Sequence, residues 1–79
     1  NMETKLYIVD ISNLVIFLRV LSKNNLMDSI FRIYQDERNY NNQLILRLTL
    51  SEMGRVKSLT KVWYGKTVTI SHTTLSTLQ

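Results

Sequence analysis

The stretch Gln43-Leu44-Ile45-Leu46-Arg47-Leu48-Thr49-Leu50 decides how this chain folds. Leucine stands at every second position, and Ile45, Arg47 and Thr49 stand between. Period two is the signature of a strand with one buried face, and a one-residue slip would turn every leucine to the other side. Working outward, a polar connection, Asp36–Asn42, ends in Asn-Asn and precedes this strand. Asparagine tolerates turn conformations, so the connection predicts a hairpin with the run Ser29–Gln35. After Leu50 the period changes to that of a helix over Glu52–Tyr64, with Met53, Val56, Leu59, Val62 and Trp63 as the inner stripe and Ser51 as the cap. Gly65 ends that helix, and Lys66–Ser71 alternates again, with Val68 and Ile70 inward.

Upstream, Lys5–Ile11 predicts a first strand that sets Leu6 and Ile8 against Tyr7 and Val9. Ser12 or Asn13 caps the long apolar run Leu14–Leu26, in which Leu14, Phe17, Leu18 and Leu21 recur at helical spacing. Asn24-Asn25 stops this helix. The resulting order is β-α-β-β-α-β, which defines an α+β, ferredoxin-like, two-layer sandwich with a four-stranded antiparallel sheet in the order 4-1-3-2. Seventy-nine residues make a single domain, residues 1–79. Val15, Ile16 and Val20 widen the apolar face of the first helix beyond one stripe. They either meet another chain or pack on the second helix.

Composition excludes several classes. The chain has no cysteine, so it has neither a disulfide nor a thiolate metal site. One histidine, His72, leaves no basis for a zinc centre or a His-based catalyst. No cofactor is expected. Of the six acidic residues, Asp36-Glu37 fall in the polar hairpin, where a solvated pair is expected. Neither Gly54 nor Gly65 lies between a strand and a helix start, so no phosphate loop is present. A catalytic site is not expected. The net charge of +4 comes from scattered lysines and arginines, as on an ordinary solvated surface. The apolar stretch Leu14–Leu18 is far too short to span a bilayer, and Asp10 interrupts the first apolar run. A cytoplasmic protein without membrane contact is expected.

Two surfaces could bind. The turn Asp10-Ile11-Ser12-Asn13-Leu14 brings the first strand to the N-terminus of a helix, where free N–H groups favour a carboxylate. The same Ser12 and Asn13 could simply cap the helix. On the open side of the sheet the alternation expects Lys5, Tyr7, Val9, Arg32, Tyr34, Ile45, Arg47 and Thr49. Aromatics and arginines on such a face suit single-stranded RNA. The third strand, however, lacks the Gly- and aromatic-rich run that RNA recognition domains use, so RNA binding is the alternative rather than the leading expectation.

These segments resemble a known family. Leu44-Ile45-Leu46-Arg47-Leu48-Thr49-Leu50 is similar to the apolar third strand of ACT domains of the short regulatory subunit of acetolactate synthase, isozyme II type. Leu59-Thr60-Lys61-Val62 and Lys66-Thr67-Val68-Thr69-Ile70-Ser71 resemble the C-terminal half of that subunit. Asn13–Leu26, with its Leu18-Arg19-Val20-Leu21 core, resembles its first helix. The resemblance implies a non-catalytic, amino-acid-sensing regulatory subunit in branched-chain amino acid biosynthesis. Its partner would be a large catalytic subunit of acetolactate synthase, which would carry the thiamine diphosphate. It further implies a homodimer, with sheets paired side by side through strand two. The candidate interface is then Ile30, Arg32 and Tyr34, with Val15, Ile16 and Val20 from the helix. Ligand-binding members carry Pro-Gly at the turn where this chain has Ser12-Asn13, and Asn13 lacks the close backbone approach that glycine allows.

Overall fold

The computed structural model describes residues 3–11, 13–36 and 41–78. Strand β1 (Thr4–Ile11) leads to helix α1 (Leu14–Lys23), and a 3₁₀ turn, Met27–Ser29, leads to strand β2 (Ile30–Asp36). Strand β3 (Asn41–Thr49), helix α2 (Leu50–Tyr64), strand β4 (Thr69–Thr73) and a one-turn helix α3 (Leu75–Leu78) follow. The four strands form one open antiparallel sheet in the order β2-β3-β1-β4. This α+β architecture is compatible with a ferredoxin-like fold. Asp36 pairs with Asn41 at the end of the β2–β3 ladder; the hairpin residues between them, Glu37 included, lie outside the described residues.

The core sits between one face of the sheet and the two longer helices. Leu44, Leu46 and Leu48 of β3 point into it, as their alternation requires. From β1, Tyr7 and Val9 join them, because Tyr7 pairs with Leu46 and Val9 with Leu44. The expectation for β1 is therefore corrected: Tyr7 and Val9 face the helices, and Leu6 and Ile8 face away. Phe17, Val20 and Leu21 of α1 are fully buried above the sheet, and Val56 of α2 and Val68 close the other side.

Each helix is stopped by its own local chemistry. Asn25 takes a left-handed φ of 58°. Leu26 N–H donates to the Leu21 carbonyl at 2.9 Å and Asn25 N–H to that of Ser22 at 3.2 Å, which is the Schellman pattern. Leu26 is buried with Leu21 in the same cluster, the apolar contact that accompanies this motif. Gly65 ends α2 at φ 67°.

The start of α2 differs from expectation. Thr49, not Ser51, is the cap: its hydroxyl accepts from Glu52 N–H at 3.1 Å, and the Glu52 carboxylate accepts from Thr49 N–H at 2.9 Å. A Thr-x-x-Glu box satisfies two N–H groups at once, which Ser51 could not do. Leu50 thus begins the helix instead of ending the strand, and it is 70% exposed. The inner stripe of α2 is also shifted. Val56 and Thr60 are buried and Met53, Leu59 and Tyr64 pack on the core, while Val62 and Trp63 are exposed. Thr60 is compatible with the interior because its hydroxyl donates to the Val56 carbonyl at 2.6 Å.

The far face of the sheet is not bare. Thr73 pairs with Leu6 at one edge, and the Arg32 guanidinium donates to the Leu78 carbonyl at 3.5 Å at the opposite edge. The chain from Thr73 to Leu78 therefore crosses this face, and beneath it Leu6 and Ile45 are buried. Residues 73–78 are thus the last residue of β4 and a cover.

Candidate functional site

The turn between β1 and α1 is built around Asn13. It takes an extended conformation (φ −125°, ψ 92°), and its side-chain carbonyl accepts the Ile16 N–H at 3.2 Å. That bond uses one of the free N–H groups a carboxylate would need. Asp10 is held on the neighbouring strand pair, where its carboxylate accepts from the Gln43 amide at 2.7 Å. Leu14 opens the helix and packs against the core. Ile11 is the last residue of β1, and Ser12 lies outside the described residues. Of the candidate ligand group, Asp10, Asn13 and Leu14 are thus all engaged by their own chain. The first turn of α1 itself carries no acidic side chain.

The candidate dimer surface divides. Val20 is wholly buried in the core and cannot meet another chain, a correction that follows from α1 turning this residue toward the sheet together with Phe17 and Leu21. Val15 is 60% exposed and Ile16 is half-buried. Strand β2 lies at the edge of the sheet, with one backbone side free of a strand partner. A bulge between Ile30 and Arg32 changes its facing pattern. Ile30 and Ile33 pair with Leu46 and Leu44 and point to the helix side, where Ile30 packs on the core. Phe31 turns to the open side, under the Arg47 guanidinium. Phe31, Ile33 and Tyr34 are all partly exposed.

The bulge also adds Phe31 to the open side, where the alternation already expects Arg32, Tyr34 and Arg47. The Arg32 and Arg47 guanidinium carbons lie 5.2 and 5.8 Å from the Phe31 ring centre, within cation–π range. Arg32 also donates to the Tyr34 hydroxyl at 3.0 Å. The sequence signal for the position of Phe31 would have been a bulge, and nothing in Ile30-Phe31-Arg32 marks one. On the helix side, His72 follows the phase of Ile70 and meets Tyr7 edge to face at 6.1 Å between ring centres. This is a rim contact between two rings. Among the described residues no group of three His, Asp or Glu side chains is placed to hold a metal ion, and no helix is long and apolar enough to cross a membrane.

A separate groove of about 400 Å³ runs between α2 and the segment entering β4. Gly54, Val62 and Val68 form part of its wall, and Lys57 and Lys61 stand along it. Comparison of the chain with family models, with curated proteins and with solved structures gives no match.

Proposed function

We propose that this chain is a non-catalytic regulatory module of the ferredoxin-like, ACT-like βαββαβ type. It pairs with a second copy and acts on a large, thiamine-diphosphate-carrying subunit of acetolactate synthase. One observation carries the proposal: β2 is an edge strand that presents partly exposed Phe31, Ile33 and Tyr34 and has no proline to block pairing. An edge of that kind is a template for another strand unless it is covered. A chain this small buries only somewhat over ~60% of its unfolded surface, so pairing would add core that it lacks. The sequence resemblance supplies the identity of the enzyme partner, and the strand order supports the family's architecture. A branched-chain amino acid is at most a weak ligand in this proposal, since the Asn13 side chain holds the N–H of Ile16.

Sedimentation at micromolar concentration tests the pairing: a mass of twice the chain is expected, and a monomer refutes it. Ile33→Lys should give the monomer with the fold kept. Adding the chain to an acetolactate synthase large subunit should raise its activity, and no effect at saturating ratio refutes the regulatory role.

A second proposal, binding of single-stranded RNA on the open face, draws on Phe31 between Arg32 and Arg47, since stacking rings flanked by arginines suit exposed bases. It loses Tyr7, which is buried against the helices, and the segment ending at Leu78 occupies part of the same face. Titration with a labelled single strand at physiological salt should show no binding.

A further inference from the structure

Helix α2 carries two features that the fold does not need. Gly54 stands within a 15-residue helix, where glycine is less favourable than alanine. A Cβ there would meet nothing within 4 Å, so no close packing calls for glycine. Lys57 and Lys61 stand one turn apart, a like-charge pair that also costs helix stability. The one acidic side chain of α2, Glu52, is engaged in the capping box and offers them no partner. Both features meet at one place, the groove of about 400 Å³ walled by Gly54, Val62 and Val68 and flanked by Lys57 and Lys61. The missing side chain at Gly54 leaves one end of the groove open. Val62, 73% exposed, adds apolar surface to the same wall.

We propose that this groove is a docking site for an acidic, amphipathic peptide segment of a protein partner. Apolar side chains of the segment would lie between Gly54 and Val68 and cover Val62, and its carboxylates would meet Lys57 and Lys61. The charge of the chain favours this choice, since its +4 excess attracts an acidic partner and repels a basic one. The groove borders the segment entering β4, at the opposite sheet edge from β2. It can therefore be filled while β2 is paired, and the proposal does not rest on the identity of the regulated enzyme.

The test uses the full chain and two fluorescein-labelled amphipathic peptides with leucine on one helical face. One carries glutamate on the other face and the second carries lysine there. By fluorescence anisotropy the glutamate peptide should bind at least about tenfold tighter than the lysine peptide, and added salt should weaken it. Gly54→Leu fills the groove, and because its Cβ enters open space and glycine is lost from a helix, the thermal midpoint should hold or rise. That variant, and separately Lys57→Glu with Lys61→Glu, should each weaken the glutamate peptide by about tenfold or more. Equal binding of both peptides, or full binding by Gly54→Leu, overturns the proposal. So does binding of anionic phospholipid vesicles with none of the peptide, which would make the groove a lipid contact.

Discussion

Both faces of the sheet bury apolar side chains, but they are covered by different means. On one face, Val9, Leu44, Leu46 and Leu48 lie beneath α1 and α2, which bring Phe17, Val20, Leu21 and Val56 into a continuous core. On the other, Leu6 and Ile45 lie beneath the segment from Thr73 to Leu78. Two buried threonines show the difference in quality. Thr60, on the helix side, donates its hydroxyl to the Val56 carbonyl at 2.6 Å. The Thr73 hydroxyl, on the other side, is buried with no hydrogen-bond partner among the described residues. A helix of 15 residues supplies a carbonyl one turn away, whereas the one-turn α3 has its own first hydroxyl, that of Thr74, turned to Ser76 and Thr77. The helix side buries more side chains, and it also satisfies its buried hydroxyl where the other side does not.

The largest effect should come from the helix side. Phe17→Ala leaves a cavity between α1 and the sheet, where neighbours on every side are fixed, and is expected to cost about 3–5 kcal/mol. Ile45→Ala removes an equally buried side chain, but its cover can settle into the space, so it should stay near 2 kcal/mol, the low end for such changes. Urea denaturation of both variants checks the pair. An Ile45→Ala loss as large as that of Phe17→Ala would break the comparison and make the second face a core of equal rank.

Removing the cover itself comes next. A chain ending at Thr73 should lose about 1–2 kcal/mol, at roughly 25 cal/mol per Å² of apolar area re-exposed at Leu6 and Ile45. It should also bind a hydrophobic dye that the full chain does not. If stability and dye binding are unchanged, residues 74–78 are not what buries these side chains.

These differences explain which parts of the fold were legible in the sequence. The alternation of Leu44, Leu46 and Leu48 fixed the buried face of β3, because Arg47 and Thr49 on the other side are polar. In β1 both sets are apolar, Leu6 and Ile8 against Tyr7 and Val9, so period two cannot choose between them. Only pairing decides, through Tyr7 opposite Leu46. Asn25 and Gly65 marked both helix ends, since the left-handed conformation admits few residue types. Val62 and Trp63 misled because a 3.6-residue period over a helix this long tolerates a stripe displaced by one position. Lys23 over the Trp63 ring at 5.3 Å then gives the exposed indole a contact outside the core. The candidate turn was legible as a cap at Asn13, whereas the Phe31 cluster depends on a bulge that no local residue announces.

The unsatisfied hydroxyl sharpens the comparison further. Thr73→Val removes a buried group without a partner and keeps a β-branched side chain in a strand, so stability should rise by about 1 kcal/mol. Thr60→Val deletes a bond that is made and should lower stability by about 0.5–1.5 kcal/mol. Opposite signs from the same chemical change, read in one set of thermal melts, are expected. Two losses would mean that the Thr73 hydroxyl finds a partner in solution, and that the two faces are satisfied equally well.

The smallest expected effect lies at the start of α1, which helps to cover the well-satisfied face. Asn13 caps this helix with a single bond, to Ile16 N–H at 3.2 Å, where α2 has the reciprocal pair of Thr49 and Glu52. Asn13→Gly should therefore cost only a few tenths of a kcal/mol, since glycine is itself a tolerated cap. The same change frees the Ile16 N–H and removes the side chain that stands where a carboxylate would sit. Calorimetric titration with valine should show no binding by the natural chain. Measurable binding by Asn13→Gly would identify the turn as a disabled ligand site, in which the cap took over the N–H group that a carboxylate would use. Binding by the natural chain would show that the Asn13–Ile16 bond yields to a ligand at little cost. No binding by either chain would leave the turn as a cap alone, with the start of α1 serving stability.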